Sequence, residues 1–220
     1  MSKKQLNRYV LTDELYALLK QQILSHVMPA GEKINIDKLA RELGVSNIPI
    51  RESLFRLASE GFVTIIPFKG MFVAEMSLKD INEIFEIRTQ LEELAIRKAA
   101  PRITKERLQQ ILQELERANE AAAEENSEEK ENEIRQMNEG LHGTLLLYAD
   151  NFNLQQMVSS LIERIHRYLN LHHYKIDLEA EKAEHRSIVN HLLAYNTEGA
   201  VTAMRQHLHN SYERLVANFN

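Results

Sequence analysis

Cysteine is absent from the 220 residues, which excludes disulfides and cysteine-ligated zinc or iron–sulfur sites. No apolar run is long enough to span a membrane, and no charged-then-apolar leader opens the chain. The expected location is therefore the cytoplasm, with no membrane partner. Internal repeats and low-complexity tails are missing as well. What is present is ordinary globular composition, 44% hydrophobic and 27% charged, at a length for one or two domains. Nine His, with Asp, Glu and Asn, remain as metal ligands.

The net charge of −5 is unevenly spread. Residues 1–76 carry ten Lys or Arg against eight Asp or Glu, whereas residues 77–220 carry 17 against 24. That asymmetry agrees with two domains, 1–76 and 77–220, of which the first contacts nucleic acid.

Asn35 to Leu57, NIDKLARELGVSNIPIRESLFRL, holds two short helical patterns joined by a Gly-Val-Ser turn. Asn35 caps the first, Asp37 suits its dipole, and Leu39, Ala40 and Leu43 form its buried side. Gly44 ends it. The second begins at about Pro49, with Ile50, Leu54, Leu57 and Ala58 as its apolar stripe. This reads as a helix-turn-helix, whose second helix lies in the DNA major groove with its N-terminal residues at the base edges. Asn47, Ile48 and Arg51 are the candidate readers. An earlier helix is expected over Leu11 to Leu24, capped by Thr12, with Leu15, Leu18, Leu19 and Ile23 apolar. Phe62 to Ile66 and Met71 to Ala74 read as strands of a hairpin wing around Pro67-Phe68-Lys69-Gly70. Lys69 and Gly70 on the wing, and Arg41 on the first helix of the motif, complete the expected DNA-binding set.

The wording ARELGVSNIPIRESLFRLASEGFV followed by PFKGMFVAEM resembles the winged helix of GntR-type bacterial transcription regulators, from about Leu11 to Met76. The resemblance implies a regulator that binds a palindromic double-stranded operator as a homodimer. The pattern departs at the reading end. Family members usually carry Ser-Arg-Thr-Pro where this chain has Ser46, Asn47, Ile48 and Pro49. Asn47 lacks a guanidinium for guanine or phosphate, and Ile48 cannot cap the helix as Thr would.

From Ser77 onward the stripes are helical throughout and predict an all-α bundle of about six helices, so the fold class is mostly α with a small β-hairpin wing. Breaks fall at Pro101, at Asp150-Asn151 and near Tyr195. One expected helix runs from Ser127 to Ala149, and the acidic segment Glu124 to Glu133 reads as a solvated junction. His142, His185 and His207 each lie on or beside the apolar stripe of their own helix. Asn138 stands one turn before His142. Three imidazoles entering one core point to a divalent transition metal such as zinc, nickel or manganese; packing is the alternative reading of each His alone. His166, His172, His173, His191 and His209 lack such support. Arg88 interrupts a stripe of Ile81, Ile84, Phe85, Leu91 and Ala95, so its guanidinium should point inward and need an anion. Either an effector carboxylate or a Glu of a neighbouring helix would serve.

EIRTQLEELAIRKAA, NEGLHGTLLLYADNFNL and EHRSIVNHLLAYNTEGA resemble the FCD ligand-sensing domain of the FadR subfamily of GntR regulators. The family's metal pattern is Asp-x-x-x-His, then His-Arg-x-Ile, then a His one helix later. It falls here on Asn138, His142, His185 and His207, with Asn in place of Asp. The resemblance implies a small organic acid as effector, held by metal and Arg88, and repression that the effector relieves. Two rivals stay open: a metal-dependent enzyme using the His cluster, and a constitutive DNA-binding dimer without effector. The first lacks an H-E-x-x-H-like spacing and leaves the helix-turn-helix unexplained.

Overall fold

The computed structural model describes residues 3–75, 77–121, 137–171 and 177–217. Helices α1 (Lys3–Leu24), α2 (Ile36–Leu43) and α3 (Asn47–Ser59) precede strands β1 (Val63–Ile66) and β2 (Gly70–Val73). Then follow α4 (Leu78–Ala99), α5 (Lys105–Ala121), a π-turn (Glu139–Gly143), α6 (Thr144–Tyr148), α7 (Phe152–Leu171), α8 (Leu178–Leu193) and α9 (Thr197–Ala217). The chain forms two compact units, Met1–Ser77 with Glu163–His172, and Leu78–Ile162 with His173–Asn220. No local sequence signal marks residues 163–172 as part of the first.

The first unit is a winged helix-turn-helix. Asn35 caps α2 by accepting from the Lys38 amide at 2.9 Å, and Gly44 closes it at φ +67, a left-handed conformation that costs glycine least. Ile50, Leu54 and Leu57 of α3 are fully buried with Leu19 and Ile23 of α1 and Phe62. The strands pair antiparallel, Val63 opposite Val73 and Ile66 opposite Gly70. Alternation puts Met71 and Val73 into the core. Two expectations need correction. Helix α1 starts well before Leu11, so Thr12 lies inside it and is no cap. Leu18 belongs to the same apolar pattern but stays 36% exposed, because the core contacts go to Leu15, Leu19 and Ile23 on the adjacent stripe.

The second unit is all-helical. α4 packs on α6 and α9, and α9 packs on α8. Ala95, Leu146, Ala149, Leu154 and Val158 form a buried cluster. The expected helix from Ser127 is described from Met137 onward, and the acidic segment 124–133, with His172 and His173, lies outside the described residues. At Glu139–Gly143 the helix widens into a π-turn, which inserts one residue into its register at His142. Among the described residues no helix is long and apolar enough to cross a membrane.

Candidate metal centre and DNA-reading helix

Periodicity delivers three imidazoles to one place. His142 comes from the π-turn, His185 from α8 and His207 from α9, and all three are at most 2% exposed. One ring nitrogen of each lies within 4.8 Å of the others. The Nε2 atoms of His185 and His207 are 3.3 Å apart. Ligand bonds of the usual zinc–nitrogen length set at tetrahedral angles place two nitrogens roughly 3.3 Å apart, so the spacing suits two ligands of one ion. Asn138, half-buried, begins the turn that carries His142, and its side chain makes no capping bond.

What the sequence reading missed are the carboxylates behind the rings. Glu92 of α4, 2% exposed, accepts from Nδ1 of His142 in a short hydrogen bond, and its other oxygen accepts from Arg88 Nε at 2.5 Å. Glu184 of α8 accepts from Nδ1 of His207 at 2.8 Å, and also from Asn210 and Arg214. An ionised carboxylate only accepts, so Nδ1 of each of these rings carries a proton, and the nitrogen left to offer a lone pair to a metal is Nε2. The buried Nε2 of His142 and Nδ1 of His185 have no hydrogen-bond partner in the protein. An orphaned buried nitrogen calls for an explanation, and for Nε2 of His142 a metal ion supplies one, whereas Nδ1 of His185 lies across its ring from the Nε2 that faces His207.

Charge follows the same arrangement. Burial raises the Glu92 carboxyl, but Arg88 and His142 beside it outweigh that and hold it at about 2. Glu184 is likewise brought to about 2, its burial outweighed by bonds from Arg214, His207 and Asn210. Burial pushes His142 down, with Glu92 opposing, and pushes His185 well down, assisted by the neighbouring His207 and His142. Neutral imidazoles result, the form that ligates metal.

Arg88 is buried as expected, but its partner is Glu92 one turn along the same helix rather than a Glu of a neighbouring helix. The spacing of Arg88 and Glu92, i to i+4, was legible in the chain; that Glu92 would also reach His142 was not. A groove of about 340 Å³ opens between α4 and α9, lined in part by Asn82, Phe85, Thr89, Leu208 and Tyr212. None of the three clustered His lines it.

In the first unit α3 starts at Asn47, two residues before the expected Pro49, and Ser46 makes no side-chain cap. Ile48 is 57% exposed, Arg41, Arg51, Lys69 and Gly70 are exposed, and Asn47 is half-buried. The Asn47 amide donates to Asp37 of α2 at 2.7 Å, a contact between residues ten apart. The expected readers thus share one end of α3, while the wing carries Lys69 and Gly70.

Residues 83–210 match the model of the FCD domain, and residues 11–73 match that of the bacterial regulatory proteins of the gntR family. The chain belongs to the GntR family. It is a DNA-binding transcription regulator and not an enzyme. The HTH-type transcriptional regulator YdhC of Bacillus subtilis (strain 168) is 28% identical over 204 residues, 92% of this chain and 89% of YdhC. The transcriptional repressor GlaR of Escherichia coli (strain K12) is 27% identical over 198 residues, 88% of this chain and 90% of GlaR. E. coli McbR/YncC shares the fold at a TM-score of 0.74 and 23% identity, over 96% of this chain and 99% of that one. FCD domains can bind metals, and all three clustered His lie in the matched segment of this regulator.

Proposed function

We propose that this regulator is a homodimeric repressor of the FadR subfamily, working in the cytoplasm, with residues 1–76 as its DNA-binding domain and 77–220 as its sensor. Two copies of α3 bind the half-sites of a palindromic operator through Asn47, Ile48 and Arg51, with Arg41, Lys69 and Gly70 on the phosphates. A divalent transition metal is held by His142, His185 and His207 with the Asn138 amide as fourth ligand. As a Lewis acid it supplies an exchangeable position for a carboxylate. The effector is a small organic acid bound there and by the N–H groups of Arg88 that Glu92 leaves over. It acts by favouring the arrangement with the lower operator affinity.

The observation that carries this reading is the buried His trio, in which Nε2 of His142 lacks a protein partner and the Nε2 atoms of His185 and His207 stand at ligand spacing. Support for the dimer comes from Leu94, Leu147 and Met157, apolar side chains 43 to 66% exposed on α4, α6 and α7, the helices that meet in the buried cluster around Ala95 and Leu146. Elemental analysis of untagged protein purified without chelator tests it, beside His142→Ala and an operator titration with candidate carboxylates. About one ion per chain, lost in the variant, with operator release only by metal-ligating acids, is the expected result. Protein that takes up neither zinc, nickel nor manganese would refute the metal half.

A further inference from the structure

The exposed end of α3 presents an unusual pair for a protein that must read base edges. Ile48, in the first turn, is a branched apolar side chain 57% exposed, and it lies in none of the buried clusters of its unit. Beside it, one N–H of the Asn47 amide is donated to Asp37 at 2.7 Å. A carboxylate accepts only, so the amide nitrogen must be the end facing Asp37, and the orientation of this side chain is settled by chemistry. One amide N–H and the carbonyl oxygen are left. A donor and an acceptor side by side complement the N7 and N6 edge of adenine. Guanine offers two acceptors there and suits a guanidinium. For Ile48 the apolar feature of the major groove is the thymine methyl.

We propose that each half-site places an adenine against Asn47 and a thymine methyl against Ile48, so that this regulator reads A·T pairs with these two residues. Asp37 is the positioning residue, since its carboxylate holds the Asn47 amide in the orientation that matches adenine. The inference rests on α3 being the reading helix. It adds to that reading the chemistry of the bases.

Operator selection from random duplex DNA by the full-length protein gives the starting half-site. Each thymine is then replaced singly by uracil, which deletes only the methyl group. At one position the change is expected to weaken wild-type binding about fourfold, the worth of one buried methyl-sized group. In Ile48→Ala the same replacement should have no effect. Asn47→Arg should move the preference at the neighbouring position from adenine to guanine. Asp37→Ala should flatten the adenine preference without abolishing binding. Guanine at the Asn47 position in the selected sites, or uracil tolerated at every thymine, would overturn the proposal while leaving α3 as the reading helix. Selection that enriches no sequence, or an enriched sequence indifferent to Ile48, Asn47 and Arg51 alike, would remove the reading helix itself. Ile48 is exposed, so its replacement leaves the fold intact, and unchanged thermal unfolding of the variant verifies this.

Discussion

Replacing Glu92 by Gln changes one atom in a carboxylate only 2% exposed, and the consequences can be followed bond by bond. The wild-type carboxylate receives Arg88 Nε at 2.5 Å on one oxygen and His142 Nδ1 on the other. A Gln amide has a single acceptor. Arg88 donates in every protonation state, so it claims the amide oxygen and turns the amide nitrogen toward His142. His142 must then accept at Nδ1, which moves its proton to Nε2, the nitrogen that faces the other two rings. Loss of the buried anion also strands the Arg88 guanidinium, only 6% exposed. Breaking a buried ion pair from one side costs about 3–5 kcal/mol, and loss of the carboxylate behind a ligating His costs about 10–100-fold in metal affinity. Urea unfolding of the metal-free protein measures the first, zinc competition against a chromophoric chelator the second, and long-range proton–nitrogen NMR correlation reports the proton on His142. Wild-type zinc affinity together with a proton still on Nδ1 would show that Glu92 does not set the ring, and the reasoning would fail.

Acid should destabilise the metal-free protein in two stages. His142 and His185 have folded pKa values below the ordinary 6.5, so the unfolded chain takes up their protons first. Stability is full above about 6.5 and falls as the pH drops below it. Glu92 and Glu184 are held at about 2, and their contribution is lost between about 4.5 and 2. Melting temperature followed from pH 8 to pH 3 should therefore be level down to about 6.5 and fall below it, and His185→Gln should lessen the fall between about 6.5 and 4.5, leaving His142 to supply the rest. A wild-type profile flat from 8 to 5 would contradict the neutral, buried rings. Arg51→Ala should weaken specific operator binding by about 1–3 kcal/mol at fixed salt, as measured by fluorescence anisotropy. Equal losses on operator and random DNA would make Arg51 a phosphate contact instead.

The winged helix was largely legible in the chain because its signals are local. Asn35 before Asp37, Gly44 after Leu43, and the period of Ile50, Leu54 and Leu57 are each settled within one or two turns, and the caps and burial follow. The same holds for His142, His185 and His207: a His on an apolar stripe must enter the core, and three stripes of one bundle share one core. Where competing apolar residues were available, as with Leu18 beside Leu19, periodicity could not say which the core would take. The π-turn at His142 was equally hidden, since no residue type in Glu139–Gly143 demands the extra residue.

The sequence by itself therefore determined the element order, the family-like motif at α2 and α3, and which three His enter one core. Only the tertiary structure decided what stands behind those rings. Glu92 lies fifty residues from His142 along the chain and Glu184 twenty-three from His207, and such pairings depend on how α4, α8 and α9 pack. It also decided that Asp37 would hold the Asn47 amide. A side chain's polar partner across a helix interface is fixed by the geometry of packing, and packing is a property of the whole core, which local periodicity does not encode.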